Sequence, residues 1–219
     1  PHAPYTVSDA TLSRIAMLSG DLDMPVHMHL LETEWEIKQS LQQHDRHPLG
    51  RLEQQGLLNS RLQAVHMAQL SEEDIDRVAR SGAQVVHCPQ SNLKLASGFC
   101  PVASLQQAGV NVALGTDGAA SNNDLDLLAE AQTAALLAKG VSGDARAGSA
   151  RQIIDMLTIN GARVLGLADR IGSIESGKQA DFCALDLCAP ETQPLHHVLS
   201  QLVYAASSRQ VSDVWVAGR

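Results

Sequence analysis

The pentapeptide HLLET, residues 29–33, closes the first of four short apolar runs in this chain. The runs span residues 25–30, 62–67, 83–88 and 110–116, and each has the length of a strand and precedes a helical pattern. A polar residue that can bind a metal stands near the end of each run, namely His29, His66, His87 and Asp117. Active sites of α/β barrels lie at the carboxyl ends of successive parallel strands. The pattern therefore predicts an α/β fold and a metal-dependent enzyme.

Composition and charge favour a soluble globular protein over one that binds nucleic acid or membranes. The chain has 219 residues, of which 44% are hydrophobic, an ordinary content for a soluble protein with a buried core. It carries 16 basic and 24 acidic residues, a net charge of −8. An acidic surface of this kind argues against binding to nucleic acid or to an anionic membrane. No apolar run approaches the roughly 18 residues that a membrane span needs.

The cysteines point to a reducing compartment. Cys88, Cys100, Cys183 and Cys188 form no CxxC pair and fall mostly within apolar runs. We therefore expect buried free thiols and a cytoplasmic location.

The count of strand–helix units predicts half of a barrel. A full eightfold barrel takes about 250 residues, whereas residues 1–170 hold only four such units. The chain also opens on PHAPYT without a methionine, so a fragment of a longer protein is expected. Residues 171–219 change in character, with short β-runs and glycine turns, and predict part of a small β-domain.

Two strand ends carry candidate metal ligands from which a reaction could be built. His29 and Glu32 lie three residues apart where a strand gives way to a loop, and imidazole is a common ligand of divalent metals. His27 lies on the same strand face as His29. It is either the second member of a His-x-His metal pair or a hydrogen-bonded histidine of the barrel interior.

The loops after the third and fourth runs are less specific. Asp117 precedes the small-residue loop GAASNN; a helix cap or turn aspartate is the simple alternative, but the loop is long for capping alone. The loop HCPQSN, residues 87–92, offers hydrogen-bond donors or is a plain connection between strand and helix. No GxSxG or Cys/His signature of another hydrolytic nucleophile is present.

Several segments together resemble a known family. The segments VHMHLLET, AVHMAQL, VVHCPQSNLKLASG and ALGTDGAASNNDLDLL look like the amidohydrolase superfamily, and within it like the deaminases of 5′-methylthioadenosine and S-adenosylhomocysteine. The closing segments GSIESGKQADFCALD and VSDVWVAGR look like that family's carboxyl-terminal β-sandwich segment. The likeness runs from residue 1 to 219. It implies strands 5–8 of a metal-dependent (β/α)8 TIM-type barrel for residues 1–170, with part of a composite β-sandwich domain in residues 171–219.

The resemblance also implies a role for individual residues. His29 would be the strand-5 metal ligand, and Asp117 the strand-8 ligand that accepts a proton and meets the substrate. Glu32 would contact the purine and protonate its ring nitrogen, while His66 would orient the attacking hydroxide. His2 would hydrogen-bond the purine edge. One divalent metal ion, zinc by family expectation, would lower the pKa of its bound water. The family's first-strand His-x-His pair is not in this sequence.

The expected function is hydrolytic deamination of S-adenosylhomocysteine and 5′-methylthioadenosine at adenine C6, with release of ammonia. One alternative is a related amidohydrolase acting on guanine, another aminopurine or a chlorinated triazine. The other is a non-catalytic half-barrel. The expected partners are a small purine nucleoside and the missing amino-terminal half of the same protein. Association into a homo-oligomer is also expected, because a half-barrel leaves strand edges open.

Overall fold

The computed structural model describes residues 1–219 and contains eleven α-helices and six strands. The strands are β1 Val26–Leu30, β2 Leu62–His66, β3 Gln84–His87, β4 Val112–Leu114, β5 Phe182–Leu185 and β6 Val211–Trp215. The helices are α1 Asp9–Asp21, α2 Glu34–His44, α3 Pro48–Gln54, α4 Glu72–Ser81, α5 Pro89–Lys94, α6 Val102–Gln107, α7 Ala119–Asn122, α8 Leu127–Ser142, α9 Ala150–Leu157, α10 Ile159–Val164 and α11 Val198–Tyr204. The chain divides into two compact units, Pro1–Val112 and Ala113–Arg219.

The first four strands form one sheet in the order β1-β2-β3-β4. The β1–β2 and β2–β3 pairs are parallel, with Leu30 opposite His66 and Val65 opposite Val86. Helices lie between successive strands along the chain, as parallel strands require for their crossovers. The predicted α/β fold with a parallel sheet is therefore confirmed.

Burial along the strands explains their sequences. In β1, Val26, Met28 and Leu30 are buried while His27 and His29 alternate with them on the other face. Every residue of β2 is buried, which accounts for its continuous apolar pattern. The alternation in β1 thus presents two histidines on one face of the sheet.

Two helices begin with a reciprocal pair of capping hydrogen bonds. Ser71 accepts from the backbone N–H of Asp74, whose carboxylate accepts from the N–H of Ser71, and Ser149 and Gln152 form the same reciprocal pair at α9. Gly82 ends α4 in the left-handed conformation that favours glycine.

The second unit contains α7 to α11 and a two-stranded antiparallel sheet of β5 and β6. Helix α8 buries an alanine stripe at helical spacing, formed by Ala131, Ala134, Ala135 and Ala138. The rings of Phe182 and Trp215 lie 4.7 Å apart across the β5–β6 pair. These strands fall within residues 171–219, for which the sequence predicts β-structure.

Some local expectations were wrong. The polar stretch after His87 is the short helix α5, which begins with Pro89 at its first position rather than remaining a loop. The small-residue loop after Asp117 contains the helical turn α7. All four cysteines are free, as expected, but only Cys88 and Cys100 are buried. Cys183, in β5, and Cys188, after β5, are exposed.

No helix of the structure combines the length and the apolar character needed to cross a membrane.

Candidate active site

The site begins at the carboxyl end of β1. His29 is the penultimate residue of this strand, and Thr33 caps α2 by accepting a hydrogen bond from the backbone N–H of Glu36. Glu32 lies between the strand and the cap. The short connection therefore holds Glu32 beside the end of the strand that carries His29.

His66 ends the neighbouring strand β2 and completes a group of three. Ligand atoms of His29, Glu32 and His66 all lie within 4.8 Å of one another. His66 Nε2 is 3.8 Å from a carboxylate oxygen of Glu32, and the His29 and His66 rings meet edge to face with centroids 4.6 Å apart. His66 is fully buried, while His29 and Glu32 are partly exposed. We call His29, Glu32 and His66 the strand-end cluster.

The backbone around the cluster is strained. Leu31, His66 and Met67 have φ angles of 49°, 76° and 51°. A left-handed backbone costs a residue with a side chain roughly 1–2 kcal/mol, and such residues concentrate at functional sites. Hydrogen bonds from Met67 N to the Leu30 carbonyl and from Gln69 N to the Leu31 carbonyl hold the two strand ends together.

His2 contacts the cluster through both its backbone and its ring. Its carbonyl accepts a hydrogen bond of 2.9 Å from the N–H of His29, and the two rings are 4.6 Å apart. The buried guanidinium of Arg51 fastens the segment after His2 by donating to the carbonyls of Pro4 and Val7. The exposed imidazole of His2 is therefore held beside His29 at the mouth of the cluster.

Asp117 belongs to the second unit and follows β4. It has a φ of 62°, and its carboxylate accepts a hydrogen bond of 2.6 Å from Ser121 Oγ on helix α7. The side chain is partly exposed. The structure thus gives Asp117 a defined local setting in its own unit, whereas His2, His29, Glu32 and His66 come together in the first unit.

The donor set of the strand-end cluster fits a divalent metal. Two imidazoles and a carboxylate are the ligand types that zinc takes in proteins. His66 Nε2 is buried without a hydrogen-bond partner although it faces the cluster, as expected of an atom reserved for a ligand or a reactant. His27 is not a member of the cluster, since its ring bonds the side-chain oxygen of Gln63 at 3.0 Å.

His87 lies in the core at the end of β3. Burial, reinforced by the neighbouring His66, lowers its pKa to about 3, and neither ring nitrogen has a hydrogen-bond partner. His87 is therefore a neutral imidazole, and a functional role for the HCPQSN stretch stays a prediction. His47, at the start of α3, is half-buried, and burial lowers its pKa.

Three further residues support the cluster. Glu36, on helix α2, accepts a hydrogen bond from the Glu32 N–H at 3.0 Å. Asn92 is hydrogen-bonded to His66 at 2.8 Å, and Ser97 donates to Glu32 at 3.0 Å. Asn92 belongs to the HCPQSN stretch, for which the sequence left a functional role open, whereas Glu36 and Ser97 were not identified from the sequence.

The carboxyl group of Glu36 should make folding stability depend on pH. Burial raises its pKa from 4.5 to about 7, against the lowering effect of the N–H groups of Leu31 and Glu32. Between these values the folded state holds a proton that the unfolded state releases, so this contribution to stability is lost as pH rises toward 7. We expect Glu36→Gln to gain about 2 kcal/mol over the unsubstituted chain between pH 5 and pH 8, as measured by urea unfolding at both pH values.

A matched control lies two residues before Glu36. Glu34 is exposed and pairs with Lys38 at 2.8 Å, so Glu34→Gln should follow the unsubstituted chain at both pH values within about 0.5 kcal/mol. If the Glu36→Gln and unsubstituted proteins lost equal stability over this interval, Glu36 would be charged in the fold throughout.

Comparison with known proteins adds a second line of evidence. The model of the amidohydrolase family matches residues 1–219. A protein of Teredinibacter turnerae named 5-methylthioadenosine/S-adenosylhomocysteine deaminase is 57% identical over 218 residues, which are 100% of this chain and 49% of that protein. The chain thus spans about half the length of the curated relatives it matches.

Solved structures show the same likeness. A zinc-bound adenosine deaminase from Xanthomonas campestris superimposes with a TM-score of 0.98 at 60% identity, covering 100% of this chain and 50% of that one. A zinc complex of atrazine chlorohydrolase from Arthrobacter aurescens superimposes with a TM-score of 0.90 at 27% identity, covering 96% of this chain and 47% of that one.

Proposed function

Because this chain belongs to the amidohydrolase family, we propose that it forms the carboxyl-terminal half of a zinc-dependent deaminase of S-adenosylhomocysteine and 5′-methylthioadenosine. The observation that carries the proposal is the strand-end cluster, where an acid, Glu32, lies within 3.8 Å of an unpartnered imidazole nitrogen beside a metal-capable histidine. The 57% identity to a protein with this name, over the whole chain, supports the choice of substrate.

The assignment of the barrel follows from the same likeness. The strands β1 to β4 would be strands 5 to 8 of a (β/α)8 barrel, and residues 171–219 would belong to a composite β-sandwich. The amino-terminal half would supply the first four strands and the remaining metal ligands. An open groove of about 310 Å³ beside the β1 edge supports this pairing, because its lining includes Ile15, Leu18, Leu22, Met24 and Val26. Apolar side chains of this kind suit a covering layer of protein.

Each residue would have a separate task in the reaction. His29 and Asp117 would hold the metal, which when bound lowers the pKa of a water toward neutrality. Glu32 would donate a proton to a ring nitrogen of adenine and so make C6 electrophilic. His66 would orient the attacking oxygen through its free Nε2. Asp117 would take one proton of the attacking water and pass it to the amino group, which leaves as ammonia. The second proton of the water would return to Glu32 as the C6 carbonyl forms, and His2 would bind the purine edge.

The test uses the complete enzyme, meaning this chain joined to the amino-terminal half of the Teredinibacter turnerae relative. With zinc present, we expect adenine absorbance to fall and ammonia to appear with both substrates. Guanine and a chlorinated triazine serve as the comparison panel. A turnover of either panel compound with no turnover of the nucleosides would assign the chain to the alternative function. No turnover of any compound would overturn the proposal and leave a non-catalytic half-barrel.

A further inference from the structure

The segment from Asn92 to Ser97 contacts two side chains of the cluster, those of His66 and Glu32. It comprises the end of α5 and the turn that follows, and both terminal residues are buried. Asn92 Oδ1 lies 2.8 Å from His66 Nδ1, and Ser97 Oγ lies 3.0 Å from Glu32 Oε1. The Ser97 N–H donates to the Asn92 carbonyl at 2.8 Å, which closes the segment into one hydrogen-bonded turn. We call residues 92–97 the backing turn.

The contact with Asn92 decides which nitrogen of His66 carries a proton. The Asn92 atom that faces the ring is the amide oxygen, which can only accept a hydrogen bond, so this orientation of Asn92 selects the tautomer that donates from Nδ1. In a neutral imidazole the other nitrogen then carries a lone pair. That other nitrogen is Nε2, which is buried, has no hydrogen-bond partner and faces Glu32. Asn92 therefore aims the lone pair of His66 into the cluster.

The contact with Ser97 distinguishes the two oxygens of Glu32. The hydroxyl donates to Oε1, while Oε2 is the oxygen nearest His66 Nε2. When the carboxyl group is neutral, the carbonyl oxygen is the stronger hydrogen-bond acceptor, so the contact with Ser97 favours the proton on Oε2. Ser97 is held in turn by Gln69, whose Nε2 donates to the Ser97 carbonyl at 2.5 Å. The acid proton of Glu32 is thereby directed into the cluster.

We propose that Asn92 and Ser97 are positioning residues that set the tautomer of His66 and the proton-bearing oxygen of Glu32. That these two groups are reactive rests on the proposed function, but the tautomer itself does not. Both hydrogen bonds are long-range contacts, since the backing turn reaches His66 and Glu32 over sequence separations of 26 and 65 residues.

The first experiment reads the tautomer in the complete enzyme by nitrogen-15 NMR of the histidine rings, with His66→Gln used to assign the signal. We expect the proton of neutral His66 on Nδ1 in the unsubstituted protein and a loss of that preference in Asn92→Leu. A proton on Nε2 in the unsubstituted protein would overturn the inference. This measurement needs no activity, so it stands even if the deaminase assignment fails.

The second experiment separates positioning from mere structural support. In an active enzyme, Ser97→Ala should lower kcat about 10- to 100-fold with little change in KM. Ser97→Thr should restore most of the loss, because it keeps the hydroxyl. Ser104→Ala, at an exposed serine of α6, is the matched control and should leave kcat unchanged. An unchanged kcat in Ser97→Ala would overturn the role of Ser97.

Discussion

Replacing Glu32 with glutamine in the complete enzyme should lower kcat for both nucleosides by about 10²–10⁴-fold, the usual contribution of a general acid. Glutamine keeps the size of the side chain and can still accept the 3.0 Å hydrogen bond from Ser97 Oγ. It cannot deliver a proton to the purine ring. The loss should therefore appear in kcat, measured from the fall in adenine absorbance, while KM and the bound zinc change little.

Glu34→Gln provides the control for this experiment. Glu34 is two residues away, exposed and paired with Lys38, so the substitution removes a nearby negative charge without touching the cluster. Its activity should equal that of the unsubstituted enzyme. If Glu32→Gln also kept full activity, proton donation would have to come from another group. A parallel loss of zinc would instead identify Glu32 as a metal ligand.

Replacing His29 with alanine should remove the metal. One imidazole of a zinc site with three or four protein ligands is then missing, so we expect bound zinc in the complete enzyme to fall from one equivalent to below about a tenth. The measurement is metal analysis after dialysis. Activity should disappear together with the metal, and the fold should persist because His29 is partly exposed.

His27→Ala is the matched control, and it also decides between the two readings of the His-x-His sequence. His27 is on the same strand face as His29, but it bonds Gln63 and lies outside the cluster. Zinc content should be unchanged by its removal. Equal loss of zinc in the two variants would make residues 27 and 29 a metal pair and contradict the assignment to the fifth strand.

Much of the sheet could be predicted because buried strands consist mainly of apolar residues, and these form recognisable runs in the sequence. The apolar run at residues 62–67 and the strand β2 differ by one residue, since every position of that strand is buried. Helix α5 was missed because two of its three buried residues, Ser91 and Asn92, are polar. No apolar stripe with the helical period was therefore visible in the sequence.

The site was predictable only where it coincides with strand ends. His29 and His66 were found because parallel strands in register bring their carboxyl ends together, and Leu30 lies opposite His66. The supporting contact of Ser97 was not predicted, since Ser97 is 65 residues from the glutamate it contacts. Such a contact depends on the tertiary position of the turn that carries Ser97. The roles of the residues in metal binding and proton transfer remain predictions.

The left-handed backbone at Leu31, His66 and Met67 has a consequence for the directed evolution of this protein. Glycine would relieve roughly 1–2 kcal/mol of strain at residues 31 and 67. It would also remove a fully buried side chain, which costs about 2–5 kcal/mol. Selection for heat resistance should therefore keep Leu31 and Met67, and with them the bent connection that holds Glu32 and His66 in place.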